Sequence, residues 1–294
     1  MSAVARRDEE KEPAPGERPR EAPAPPPVGL TSDLRAIRVV WHRELLRFIK
    51  DRPRLIAGVA QPVLYLFVMG TGLSAMVPVT SGVPFRTFLF PGVLCMSILF
   101  TCFFSAGSLA WDREVGFMRE MMVAPVRRSA ILLGKCFGGM TIGTFQGLLM
   151  LVIGAISGVP MTLELVGTMF LELLLICFAI TAFGVALATR IRSIQAFMAL
   201  MQVVLFPMFF ASGALYPLNG LAPWLEVLTR LDPLSYAVAP LRHAVLDASG
   251  KAAFAPMVTW GSFVVPIWLD LAIIGAGAIV ALAAAVRRFS RDDV

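Results

Sequence analysis

Six stretches of this chain are apolar almost without interruption: about residues 55–76, 85–110, 136–157, 165–188, 194–214 and 263–286. A bilayer core about 30 Å thick needs roughly 20 such residues per helix. Transmembrane barrels show short alternating segments instead, and an open sheet would leave backbone groups unpaired in lipid. The pattern predicts an all-α integral membrane protein with six transmembrane helices, the membrane domain covering residues 55–290.

The polar stretches between the runs are patterned too. Residues 31–53 read TSDLRAIRVVWHRELLRFIKDRP. Leu34, Ile37, Trp41, Leu45 and Phe48 or Ile49 form one apolar stripe at helical spacing, arginines and Lys50 cover the rest, and Thr31 or Ser32 can cap the start. This predicts an amphipathic interfacial helix over 31–54 that leads into the first span. Residues 111–135 read WDREVGFMREMMVAPVRRSAILLGK. At 100° per residue, Trp111, Val115, Met118, Met121 and Met122 share one arc, with Asp112, Arg113, Gly116, Arg119 and Glu120 opposite. Glu114 interrupts the apolar arc, and Ala124-Pro125 ends the helix. Two readings of this three-turn element stand at this point. It lies on the inner leaflet, or it docks a cytoplasmic protein, with adaptable methionines and charges that set register.

A third stretch, about 215–262, is cut by prolines 217, 223, 233 and 240 into pieces of one to three turns. The pieces are apolar enough to form external re-entrant helices, which are tolerated where protein surrounds them. Within the third span, Gly139, Gly143 and Gly147 recur every four residues, a spacing that lets helices approach closely. They predict packing against a neighbouring span of the same subunit.

Composition supports the membrane reading. The chain is 57% hydrophobic and 16% charged, with a mean hydropathy of +0.75, whereas soluble domains average about 25% charged residues. Residues 1–30 differ, being rich in proline and charge, and predict a disordered cytoplasmic tail without the apolar core of a signal peptide. Basic residues gather before the first span, in the second and fourth loops and in the C-terminal tail, while the first and third loops carry none. Cytoplasmic loops collect such charge, so both termini are expected in the cytoplasm. The net charge of +6 then reflects this bias and contact with anionic lipid, not a nucleic-acid partner.

Candidate chemistry is sparse. Cys95, Cys102, Cys136 and Cys177 lie in or beside spans with no histidine set to complete a metal site, and read as small packers. His42 and His243 are isolated, so no catalytic constellation emerges. Ionisable groups inside spans cost about 2.5–3.5 kcal/mol at mid-helix and are usually paired or functional. Glu172 and Asp270 sit about two turns inside the external ends of their spans, Arg86 lies at the external start of the second span, and Arg242 lies in the re-entrant loop. They predict an outer-leaflet polar cluster in which Arg242 or Arg86 neutralises the carboxylates; substrate binding or proton coupling is the other reading.

The residues now carry a resemblance. DREVGFMREMMVAPVRRSAILLGK resembles the acidic-basic-glycine motif, proline and Gly-Lys of type-2 ABC transporter permeases, in the branch of daunorubicin-resistance-type and nodulation-type exporters. SGALYPLNGLAPWLEVLTRLDPLSYAVAPLR is similar to that family's signature after the fifth span. The layout of interfacial helix, six spans and external re-entrant helices matches as well, over about residues 33–290. The resemblance implies that the helix at Asp112, Arg113, Glu114, Val115, Gly116, Met118, Arg119, Met121 and Met122 is a coupling helix seated on an ATPase, and that residues 31–54 are the connecting helix. It implies two ATP-binding subunits and a second permease as partners, in a bacterial inner membrane. This chain has no P-loop of its own: Gly134-Lys135 is followed by Cys136 and the upstream glycine is missing. ATP and Mg are therefore expected on the partner, with no cofactor on this chain and no enzymatic role.

Within that frame Glu114 is expected to pair with Arg47 or Lys50 of the connecting helix. Permeases of this family meet mainly through the first and fifth spans, which implies a transport path lined by Tyr65, Met69, Gln202, Phe206, Phe209 and Phe210. The lining favours a hydrophobic drug-like or lipid-like substrate. A polysaccharide or lipo-oligosaccharide exporter, or a gradient-driven carrier, are the alternatives.

Overall fold

The computed structural model describes residues 29–72, 74, 84–117, 121, 126–216, 222–252, 255, 257–260 and 263–291. The tail expected to be disordered lies outside the described residues except for Gly29 and Leu30, which open the first helix. Among the described residues, six helices are long and apolar enough to cross a membrane.

Helix α1, Leu30–Lys50, is closed at its start by Gly29 N–H donating to Ser32 Oγ at 3.0 Å. It buries Val40, Glu44 and Phe48 against the third span. Leu34 and Ile49, placed in the apolar stripe by the sequence, are exposed. The helix thus turns a stripe one residue around the wheel, because the third span offers glycines there. A Cβ on Gly134 would lie 2.8 Å from Val40 Cβ, and one on Gly138 2.8 Å from Glu44 Cβ.

The first span, α2, covers Arg52–Gly72. Asp51 caps it, its Oδ1 accepting from Arg54 N–H at 3.3 Å. Pro62 sits inside this helix, and a proline there cannot donate to the carbonyl four residues back. That carbonyl, on Gly58, is taken instead by Gln146 Nε2 at 2.8 Å and Ser97 Oγ at 3.2 Å. The helix then widens into a π turn over Tyr65–Met69.

The second span, α3, Phe85–Glu114, is the central mast: 83% of its apolar window is buried, against 17% for α2. Against it stand α2, α4 (Arg128–Ile156), α5 (Leu163–Ala188) and α6 (Ile194–Ala211), while α9 (Ile267–Arg291) packs mainly on α5. The glycine row of α4 faces inward as expected. Cβ atoms on Gly139, Gly143 and Gly147 would run into Thr181, Cys102 with Cys177, and Leu173 respectively. All four cysteines are buried and free.

Two short helices follow the fifth span, α7 (Pro223–Leu231) and α8 (Pro233–Ala248), then a two-residue antiparallel ladder, β1 (Thr259–Trp260) with β2 (Phe263–Val264). Helix α8 packs against α3, α5 and α9 and buries Leu234, Tyr236, Leu241 and Val245. This is how a polar-ended loop becomes part of the core.

Candidate coupling site

The second span ends on the sequence Asp112-Arg113-Glu114, and each residue is tied to a different element. Asp112 is 1% exposed. It accepts from Lys135 Nζ of α4 at 2.7 Å, and from Arg43 and Arg47 of α1, the latter at 3.1 Å. Arg113 Nη1 donates to the Thr189 carbonyl at 2.8 Å, capping α5 where its carbonyls lack helical partners. Glu114 Oε2 accepts from the Ile194 N–H at 2.8 Å, at the N-terminus of α6, where an anion is favoured.

Lys135 is the hub. Its ammonium has three donors, and all three are used: Asp112, Glu44 Oε1 at 3.0 Å and Ser108 Oγ at 2.8 Å. Burying an ion costs several kcal/mol unless partners and hydrogen bonds compensate; here the cations Arg43, Arg47 and Lys135 face the anions Glu44 and Asp112. Burial pushes the Glu44 carboxyl up, but the charge and hydrogen bond of Lys135, then Arg47 and Arg43, outweigh it and hold it below the usual glutamate range.

These contacts correct two expectations. Asp112, not Glu114, pairs with Arg47; Glu114 caps the fifth span, and Lys50 is exposed at the end of α1. The pairing shifts because α3 stays helical through Glu114, which turns Asp112 towards α1. Nor does one helix run over 111–124. Asp112, Arg113 and Glu114 belong to the span itself, and the chain breaks at Gly116, whose φ of 81° suits a residue without a Cβ. Val115 is 64% exposed just before that break. Beyond it, Arg43 lies over the Phe117 ring at 4.7 Å and donates to Met121 Sδ at 3.8 Å. Met118, Arg119 and Met122 fall outside the described residues.

The path residues divide. Gln202, Phe206 and Phe210 share the exposed face of α6, and Tyr65 and Met69 are half-buried in the π turn. Phe209 is the exception: it is 2% exposed and belongs to the core, because it lies on the face of α6 that the exposed residues leave.

At the end of the fold away from the basic residues, the expected ion pairs are not formed among the described residues. Arg242 is fully buried, yet it donates to the carbonyls of Gly213 and Ala214, both at 2.9 Å, with its guanidinium 4.4 Å from the Phe88 ring. It closes the end of α6 instead of neutralising a carboxylate. Gly92 lets α3 reach that turn, since a Cβ would collide with the Ala214 carbonyl. Arg86 lies over Phe67. Glu172 Oε2 and both Asp270 oxygens have no hydrogen-bond partner among the described residues. Asp232 caps α8 through the Leu234 N–H at 3.0 Å, and burial pushes its carboxyl up to about 7.

Sequence reasoning missed Lys135, Glu44 and Arg43 as a site. The signal was present: a lone lysine in an apolar run is a functional candidate by default. Beginning the third span near 136 instead of at Arg128 placed it in a loop.

The sequence matches the model of the ABC-2 type transporter family over residues 35–246. It is 31% identical over 224 residues to a putative transport permease ycf38 of Cyanophora paradoxa, covering 71% of this chain and 74% of that one. It is 25% identical to the inner membrane transport permease YadH of Escherichia coli strain K12, covering 76% and 86%. It is 27% identical to nodulation protein J of Rhizobium leguminosarum bv. trifolii, covering 71% and 82%. Family membership implies an ATP-binding subunit as partner and a transport role without enzymatic chemistry. With six apolar helices among the described residues, one of them a buried mast, and with that match over most of its length, the chain belongs to the ABC-2 type transporters as a multi-pass membrane permease subunit.

Proposed function

We propose that the chain is the membrane half of an ATP-driven exporter, and that the Asp112-Arg113-Glu114 junction carries the motion of the ATP-binding subunit into the spans. The observation that supports this is the three-way attachment. One end of the most buried span is bound to α1 and α4, to the end of α5 and to the start of α6. A push on the exposed Val115–Gly116 break therefore reaches four helices at once. ATP binding can drive such a change only through differential affinity for the two states. ATP and Mg act on the partner, and two ATP-binding subunits serve two permeases that face each other through the first and fifth spans. The basic end faces the bacterial cytoplasm, with both termini, because basic residues concentrate there. The cargo is hydrophobic, drug-like or lipid-like, and moves outward.

The test is capture and cross-linking. A tagged permease expressed with its ATP-binding subunit should bring that subunit down, and Val115→Cys should cross-link to it. ATP should drive accumulation of an apolar dye in inverted vesicles. Purification of the permease without any nucleotide-hydrolysing subunit, or Val115→Cys labelling by lipid-phase reagents alone, would overturn the reading.

A further inference from the structure

We infer that the cavity between the first, second and fifth spans takes an amphiphile with an anionic headgroup, gripped by Arg54. The inference rests on the exporter reading above and deepens it by naming the substrate class. The cavity holds about 810 Å³, within the usual range for small-molecule sites of roughly 300–1,000 Å³. Towards the middle of the fold its walls are apolar, including Pro62, Met96, Phe100 and Met198. At the basic end three charged residues line it: Arg47, Asp51 and Arg54.

Two of these are already engaged. Arg47 is paired with Asp112, and Asp51 caps the first span. Arg54 is different. Among the described residues its guanidinium donates only to the Thr101 carbonyl, at 3.2 Å, and it lies over the rings of Phe48 and Phe104 at 5.8 and 5.5 Å. Asp51 and Glu44 are near enough for their fields to reach it, but among the described residues no carboxylate lies within 4 Å of it.

An arginine presents five N–H donors in a planar fork and stays charged. Arg54 spends one side of that fork on a carbonyl and has aromatic rings over its face. Arg54 itself lines the cavity. Carboxylate and phosphate are the groups that fit such a fork, through two parallel charge-assisted hydrogen bonds. A cation, or a neutral sugar, would leave the guanidinium without a counter-charge in direct contact in a half-buried place. The position is also apt. Arg54 opens the first span at the basic end, so a headgroup bound there sits at the level of the lipid headgroups while its tail lies among Met96, Phe100 and Met198. The deeper polar groups, Gln146 and Ser97, hold the Gly58 carbonyl.

The test is equilibrium dialysis on the full-length chain, with its ATP-binding subunit, in phosphatidylcholine nanodiscs. The probe is radiolabelled dodecyl phosphate, competed by dodecyltrimethylammonium, dodecyl maltoside and inorganic phosphate. Dodecyl phosphate should bind at least about tenfold tighter than the cationic or neutral amphiphile, and inorganic phosphate should fail to displace it. Arg54→Gln should weaken it about tenfold, and Arg54→Lys by only about threefold, as befits a charge that keeps its sign but loses its fork. Equal binding of the three headgroups, displacement by inorganic phosphate, or an unchanged Arg54→Gln would overturn the inference. Should Arg54→Gln not fold, the headgroup ranking of the wild type decides alone. A complex that assembles and hydrolyses ATP while showing no preference for the anion sinks this inference and leaves the exporter reading standing. Failure to assemble strikes the exporter reading, and dialysis of the permease without its partner still ranks the headgroups.

Discussion

The two ends of this molecule bury charge in opposite ways. At the basic end, Lys135, Asp112 and Glu44 are sealed from solvent with every donor of the lysine used. At the other end, Arg242 is sealed against carbonyls and an aromatic ring, and the oxygens of Asp270 stand without partners among the described residues. The first arrangement joins separate helices through charge, so moving one helix strains several ion pairs. The second holds a single turn in place and, among the described residues, joins no two helices by an ion pair. A transmission point belongs at the first end, and rigid closure at the second.

The largest effect should come from Lys135→Met. It removes the buried cation that Asp112 and Glu44 share and leaves them the part-exposed Arg43 and Arg47; breaking a buried pair from one side costs up to roughly 3–5 kcal/mol. Thermal unfolding in detergent should show a large drop. A double-mutant cycle with Asp112→Asn should reveal a coupling above about 1 kcal/mol; simple additivity would mean that the basic end is no more of a network than the other. Arg242→Met comes next. It orphans the Gly213 and Ala214 carbonyls, at about 1–3 kcal/mol for an unsatisfied buried group, and the loss should not be rescued by any change at Asp270 or Glu172. Gln146→Leu should cost less, about 1 kcal/mol, because Ser97 still reaches the Gly58 carbonyl. Asp270→Asn should be the mildest, under about 1 kcal/mol, since no ion pair is lost; a severe loss would show a partner that the contrast between the ends leaves out.

Acid should separate the ends as well. The Glu44 carboxyl is held low by its cations, so its contribution is complete above the ordinary glutamate value of about 4.3 and fades as pH falls through and below it. The Asp232 carboxyl is pushed up to about 7 by burial. Its contribution is complete below the ordinary aspartate value of about 3.9 and is lost as pH rises through 7. Stability should therefore rise on acidifying from pH 8 to about 5, then fall below about 4. Asp232→Asn should reduce the rise and leave the fall, as followed by melting temperature against pH.

Much was legible in the chain. Continuous apolar runs fix six spanning helices, because lipid offers the backbone no partners and each run must satisfy itself. The glycine row of the third span announced close packing, and prolines 223 and 233 marked the starts of α7 and α8. The candidate site was legible only as a neighbourhood. Residues 112–114 were singled out by charge, but the wheel could not say that the second span keeps its helix through Glu114 and breaks at Gly116. Those few residues of extra helix decide which carboxylate meets α1. Periodicity ranks faces by hydrophobicity and is blind to partners, so it did not single out Glu44, and it left Lys135 in a loop.

The sequence by itself determined that this is a helical membrane protein with a basic end, since hydropathy and charge act locally along the chain. Only the tertiary structure decided the pairings: Asp112 with α1 and α4, Glu114 with the start of α6, Arg242 with carbonyls, and Arg54 with no carboxylate among the described residues. Those choices depend on which residues distant in sequence come within a few ångströms, and the glycine-permitted contacts between helices set that distance.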